Sequence, residues 1–481
     1  MARKLPASSA VDTRVRTTPV GARRQAGREQ AAVTTVPRPS GLLYDWNALS
    51  PQVMSFERPD RVVLNDETLR DGLQSPSVRQ PGIEEKQAFL RLLPRIGIAA
   101  ADIGYPGASA SALSDVIVLA ETIRDEKLGI APNCAGRTHR ADIDPILEAQ
   151  QRSGVPIQAA LFIGSSAIRQ WVEGWDLDGL LRTIHDAVSY AHGQGLEVMF
   201  VTEDTTRARP EDLGPIYQAA VDAGASRLCI SDTVGHATPV GVQHLVGFLR
   251  TGLNDAGFSQ IALDWHGHRD RGLDVVNALA ALSAGVERVH GCALGIGERV
   301  GNAAMDEMLV NLVLMGWMDQ DLTALGEYCT LSSSMTGMPI ASNYPVVGAD
   351  AFLTSTGVHA AAVAKAYAKG DTWLADRVYS SVPASLVGRH QSIAIGPMSG
   401  KSNVEFWLRA NGVTPTAERV ETVLLAAKTA SHVLTDQEIT HALSHLEGPE
   451  RPSKKRVSKR SGPASKPSGR VSKRPGRVTA Q

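Results

Sequence analysis

"LNDETLRDGLQSP", residues 64–76, opens like a buried strand and closes in a Ser-Pro loop, with Asp66, Glu67, Arg70 and Asp71 crowded at the change. A strand mouth is where backbone pairing stops and functional side chains are commonly displayed. A solvated charge cluster is the plain alternative, so the rest of the chain has to decide. From residue 61 to 316, β-rich runs alternate with helical patterns. "RVVLND" precedes a helical pattern at 83–96, "AAADIG" one at 111–124, "KLGIAPN" one at 145–151 and "IQAALFI" one at 177–192. "LEVMFVT" then leads into 211–223, "RLCIS" into 240–254, "QIALDW" into 273–284 and "RVHGCAL" into 303–315. Regular alternation of this kind implies parallel strands. Eight units in about 255 residues match a closed (β/α)8 barrel, with a doubly wound open sheet as the competing architecture.

The polar residues favour closure. In a closed barrel the loops after all eight strands meet on one face. Arg70 and Asp71 follow the first strand, Glu203 and Asp204 the fifth, Asp232 and Thr233 the sixth, "HGH" the seventh and "GIGERVGN" the eighth. His266 and His268 are two apart at a strand end, so they point to the same side. Closure places strand eight between strands seven and one, which brings Asp71, both histidines and Asn302 onto three adjacent strand ends. Two imidazoles with carboxylate and amide oxygens form a mixed site suited to Mg²⁺, Mn²⁺ or Zn²⁺, with positions left for substrate. Such a site can act as a Lewis acid on a carbonyl, and Arg70 is placed to stabilise the oxyanion that forms.

Composition sets the outer bounds. The 481 residues, 43% hydrophobic and 21% charged, suit a soluble globular protein of one large domain and a smaller companion. No apolar run approaches the ~20 residues of a membrane span and no secretory signal is evident, so a cytoplasmic protein without membrane contact is expected. Cys134, Cys229, Cys292 and Cys329 are far apart and suggest neither a disulfide framework nor a zinc knuckle. The net charge of −1 conceals +6 on residues 1–41, +11 on 451–481 and −18 between them. Both tails lack apolar periodicity and read as disordered. The repeated "RVSKR" suits nucleic acid or an acidic partner, but a solubilising extension on an acidic body is preferred. The expected plan is a disordered basic extension at 1–41, a barrel at 60–320, a helical subdomain at 321–446 and a disordered basic tail at 447–481.

"ETLRDGLQ", "SDTVG" followed by "ATP", "HGHRDRG" and "GIGERVGNA", in this order over residues 64–310, resemble the acyltransferase branch of the DRE-TIM metallolyase superfamily. That branch contains the 2-isopropylmalate, homocitrate and citramalate synthases, which join acetyl-CoA to a 2-oxo acid and hydrolyse the thioester. The resemblance implies Asp71, His266, His268 and Asn302 as ligands of a divalent metal, Mg or Mn before Zn. It implies Arg70 as oxyanion stabiliser, Gln74 and Thr233 beside it in substrate binding, and Glu203 as a catalytic carboxylate. "STGVHAAAVAKA" at 355–366 and "DRVYSSVP" resemble the post-barrel segment whose histidine and tyrosine, here His359 and Tyr379, serve the active site of a neighbouring subunit in a homodimer. Acetyl-CoA is then the co-substrate and 2-oxoisovalerate the first-choice 2-oxo acid; homocitrate, citramalate and citrate-type synthases are the alternatives.

Three features depart from that pattern. Leu73 stands where the family often has Glu, and Arg269 and Asp270 replace the "ND" of its usual "HND". Both changes are expected to border the substrate pocket, Leu73 favouring an apolar side chain and Arg269 an extra anion. No regulatory domain is expected after about residue 446. "GPMSGKS" at 396–402 imitates a phosphate-binding loop but is one residue short between its glycines, and reads instead as a turn before a helix. Two other classes compete. A hydroxymethylglutaryl-CoA lyase shares the barrel and the "RDGLQ" spelling, but would carry a Cys-bearing glycine loop where "GIGERVGN" stands. A non-catalytic nucleic-acid-associated protein is motivated by the tails alone.

Overall fold

The computed structural model describes residues 56–446. The extensions read as disordered, 1–41 and 447–481, lie outside the described residues. Eight strands, β1 (Val63–Asp66), β2 (Ala100–Asp102), β3 (Ala131–Arg137), β4 (Gln158–Gly164), β5 (Val198–Glu203), β6 (Arg227–Asp232), β7 (Ala262–Gly267) and β8 (Arg288–Gly291), form a closed parallel barrel in sequence order. Closure is made by β8 on β1, with Val63 opposite Arg288 and Asp66 opposite Gly291. Three of the helices between strands begin on the side-chain caps Ser109, Asp176 and Thr238, whose oxygens accept orphan N–H groups of the first turn.

Two element boundaries differ from expectation. Lys127 and Gly129 both take positive φ, so the third strand begins at Ala131 and not within "KLGI". The helix placed at 145–151 spans Arg140–Ser153, with Pro145 inside it, because His139 Nδ1 accepts from Ala141 N and starts the helix early. An additional short helix, Ala167–Glu173, follows β4.

The outward faces of the strands and the surrounding helices form the main hydrophobic core. That core continues past the barrel through Leu325, Tyr328, Met335, Phe352 and Val387, while Ile395 to Leu443 contribute to a second core. The helix Leu325–Thr336 is fixed to the barrel by Tyr328, which stacks on Phe89 at 5.2 Å and donates to Asp66 Oδ2 at 2.5 Å. An aromatic pair of this kind adds about 1 kcal/mol beyond its burial, and the bond ties the post-barrel segment to the strand that leads into the site. The helix Lys401–Ala410 starts in the turn read from "GPMSGKS". Among the described residues, no helix is long and apolar enough to cross a membrane.

Candidate active site

At the C-terminal end of the barrel, β1 runs into a tight turn that presents Arg70 and Asp71, and β7 ends with His266 and Gly267, His268 following directly. Asp71 Oδ2 lies 3.5 Å from His266 Nε2 and 3.9 Å from His268 Nε2. All three side chains are buried, with ligand atoms within 4.8 Å of one another. His268 is oriented by its other ring nitrogen, Nδ1, 3.2 Å from Gly301 O, which leaves Nε2 as the lone-pair donor toward Asp71. Burial pushes His268 down to about 4, so the ring is neutral at pH 7 and able to ligate. Burial opposes ionisation of Asp71, but the Arg70 guanidinium and the two histidines outweigh it and hold the carboxyl well below its usual range.

Asn302 arrives from the loop after β8. Its Nδ2 donates to Asp71 Oδ1 at 2.8 Å, while its Oδ1 is buried without a partner. A buried amide oxygen left unsatisfied beside an ionised carboxylate and two imidazoles fits a divalent cation. The loop packs this closely only because of its glycines. A Cβ at Gly297, where φ is +152, would fall 2.1 Å from Asn302 Nδ2, and one at Gly301, φ +108, would fall 1.8 Å from Gly295 O.

Arg70 is braced by three carboxylates. Its Nε is 3.0 Å from Glu67 Oε2 and 3.1 Å from Asp102 Oδ2, its Nη2 also donates to Glu67, and its Nη1 donates to Asp71 at 2.9 Å. Burial and the charge of Glu67 raise Asp102 well above the usual carboxyl range. Burial opposes ionisation of Glu67 too, yet Arg70 and His290 bring it down to about 2.

A family model described as HMGL-like matches residues 61–331. The chain belongs to the HMGL-like family. It is 32% identical over 375 residues to a probable 2-isopropylmalate synthase of Methanopyrus kandleri, covering 77% of this chain and 70% of that one. A homocitrate synthase of the same organism is 31% identical over 398 residues, covering 82% and 93%. Among solved structures, the hydroxymethylglutaryl-CoA lyase of Bacillus subtilis superposes with a TM-score of 0.48 at 22% identity, over 60% of this chain and 97% of that one.

In this HMGL-like barrel the expected residues divide into two sets. Arg70, Asp71, Gln74, Glu203, Thr233, His266 and His268 line one cavity of about 170 Å³. Thr233 Oγ1 accepts from Asp204 N at 2.8 Å, and its carbonyl accepts from Arg299 Nη2 at 2.6 Å. Glu203, with Arg169 at 3.6 Å, is raised above its usual value by burial. Glu203 and Phe162 also border a second cavity of about 750 Å³ outside β3–β5. His359 and Tyr379 are elsewhere: both are exposed, their rings stack on each other at 4.1 Å, and neither lines the barrel cavity.

Leu73 and Arg269, expected at the pocket edge, do not line the cavity. Leu73 is buried in the turn after Asp71, and Arg269 is directed to the loop after β8, where Nη1 lies 3.5 Å from Leu294 O. Asp204 and Asp232 brace loops: Arg207 holds Asp204 through two bonds of 2.7 Å, and Asp232 accepts from Thr206 and from the backbone of His236 and Ala237.

The sequence reading missed a column of charges inside the barrel. Arg227 Nη1 and Arg288 Nε donate to Asp264 at 2.5 and 2.6 Å, and Asp264 faces His290 Nε2 at 3.0 Å. His290 Nδ1 lies 2.8 Å from Glu67 Oε1, which also accepts from Asn65 at 2.8 Å. Burial works against charging His290, but its bonds to Asp264 and Glu67 win and raise it. Glu67, His266 and His290 form a second group with metal-ligand spacing. With Arg70 and a protonated His290 already on Glu67, that group is a saturated ionic cluster and not a cation site.

Proposed function

We propose that the protein condenses acetyl-CoA with a 2-oxo acid and hydrolyses the resulting thioester, in the manner of a 2-isopropylmalate synthase, with 2-oxoisovalerate as first-choice substrate. The observation that carries this reading is the convergence of Asp71, His266 and His268 beside Arg70 on one cavity, with Asn302, whose Oδ1 is orphaned, bonded to Asp71. Relatives named 2-isopropylmalate, homocitrate and citramalate synthases support the reaction class. They differ in the 2-oxo acid, so the cavity wall carries the choice among them. Ala160, Phe162, Met199, Val201 and Cys229 form that wall, which favours a short apolar side chain over a second carboxylate.

A divalent cation, Mg²⁺ or Mn²⁺ before Zn²⁺, held by Asp71, His266, His268 and Asn302 would supply Lewis acidity toward the 2-oxo group. The residues of the chain do the rest. Gln74 and Thr233 hold the substrate carboxylate, and Arg70 faces the charge that develops on the carbonyl oxygen. The larger cavity beside Glu203 and Phe162 gives room for coenzyme A. The acetyl methyl group is a weak acid, so its proton needs a positioned base. Glu203 orients His359 of a second subunit, which takes that proton, with Tyr379 beside it. The methyl carbon then bonds to the 2-oxo carbon, the oxygen is protonated to a hydroxyl, and water cleaves the thioester to a carboxylate and free CoA. The working unit is a homodimer.

A panel of 2-oxo acids offered with acetyl-CoA and a thiol reagent tests the proposal. CoA should appear only with a 2-oxo acid present, and fastest with 2-oxoisovalerate. CoA release independent of any 2-oxo acid, or none with the whole panel, would reject it.

A further inference from the structure

The interior column ends on Arg70, and its order is regular: Arg227 and Arg288, then Asp264, His290, Glu67 and Arg70, cationic and anionic in turn across β6, β7, β8 and β1. We infer that Glu67 and His290 are positioning residues, which hold the Arg70 guanidinium on the reacting carbonyl oxygen. The inference rests on the reading of Arg70 as oxyanion stabiliser.

The geometry singles out Glu67 among the three acids around Arg70. It takes two of the guanidinium contacts through Oε2, whereas Asp102 and Asp71 take one each. Its other oxygen, Oε1, is anchored from behind by Asn65 Nδ2 and His290 Nδ1, both at 2.8 Å. Asn65 is itself held by Asn133 Nδ2 at 2.6 Å. One oxygen therefore faces the site and the other faces a fixed scaffold, so the carboxylate cannot rotate without breaking bonds on both sides. His290 is spanned between Glu67 and Asp264, and Asp264 is fixed by two arginines, one of which, Arg288, also donates to Gln158 at 2.8 Å. Each buried charge has an opposite neighbour, the condition under which buried ions are tolerated. The interior of a (β/α)8 barrel is normally filled with branched apolar residues. An ionic column in that place, running to an arginine that lines the cavity beside Asp71, fits preorganisation of that arginine, because a donor fixed before reaction needs no reorganisation as charge develops.

The test has a kinetic arm and a structural arm. Glu67→Gln should lower kcat about 100-fold, the scale of a lost oxyanion contact, and change KM for the 2-oxo acid less than about threefold. Added to Arg70→Ala, the same change should cost less than about threefold further, because Glu67 acts through Arg70. A crystal structure of Glu67→Gln should show the guanidinium displaced from its position between residues 67, 71 and 102. Native kcat, fully multiplicative losses in the double variant, or an unmoved guanidinium would overturn the inference. His290→Gln serves where Glu67→Gln does not fold: a loss confined to kcat supports the inference and native kcat overturns it. If the unmodified protein turns over no 2-oxo acid, the proposed reaction falls, while the position of Arg70 in the variant crystal still decides this one.

Discussion

Along and just beyond β1, and on β7 and β8, the inward positions carry Asn65 and Glu67, Asp264 and His266, and Arg288 and His290, whereas on β4, β5 and β6, beyond Gln158 and Arg227, they carry Ala160, Met199, Val201 and Cys229, an apolar cluster separate from the main core. Both halves face the same cavity. The charged half is cross-braced by ion pairs and leads to Arg70 and the cluster of Asp71, His266 and His268; the apolar half presents Ala160, Met199, Val201 and Cys229 to the same cavity. The contrast teaches a division of labour within one barrel. Under the proposed function, strands that close the ring would supply the chemistry, and the opposite wall would select the side chain of the substrate.

The largest effect expected concerns the one function neither half supplies. Glu203 is at the cavity, but His359 and Tyr379 are exposed and stacked outside it. Glu203→Ala and His359→Ala proteins should each lose about 10²–10⁴-fold in turnover, the range of general acid–base catalysis. Mixed under conditions with verified subunit exchange, they should recover up to about one quarter of native turnover, since half of randomly assorted dimers are mixed and each mixed dimer has one complete site. Mixed dimers that remain inactive would place the dyad within one chain, or remove His359 from it.

A smaller effect sharpens the role of the apolar half. Val201 lines the cavity, is only partly buried and belongs to the apolar cluster. Val201→Ala should shift kcat/KM toward 2-oxo acids one or two carbons longer by roughly tenfold, the value of a methylene in an apolar pocket. A shift toward dicarboxylic substrates, or no shift, would break the assignment of this wall to side-chain selection.

How much of this was legible in the sequence follows from what kind of signal each part leaves. The barrel was legible because eight strand–helix units repeat without interruption, and the clustering of Asp71, His266 and His268 because "LRDG" and "HGH" fall at or just beyond the C-terminal ends of strands. The interior column was not read, although its signal was present. "NDE", "DWH" and "RVH" each place polar residues two apart, and in β7 and β8 an apolar residue lies between them; on a strand such pairs share one face. The outward partners Leu64, Trp265 and Val289 belong to the main core, so the polar set can only point inward. Leu73 and Arg269, read as pocket-edge positions because they depart from the family pattern, do not line the cavity. Backbone geometry turns Leu73 into its own buried turn and Arg269 toward Leu294 O. For His359 and Tyr379 the residues alone gave little signal, an exposed pair on an Ala-rich segment, and their role rests on resemblance.

The central claim is that Asp71, His266, His268 and Asn302 hold a divalent cation on which CoA release depends. The direct measurement is CoA release with 2-oxoisovalerate before chelation, after chelation with removal of metal verified by elemental analysis, and after readdition of Mg²⁺ or Mn²⁺. The account predicts that release is abolished and then restored. Unchanged release from verified metal-free protein would contradict it.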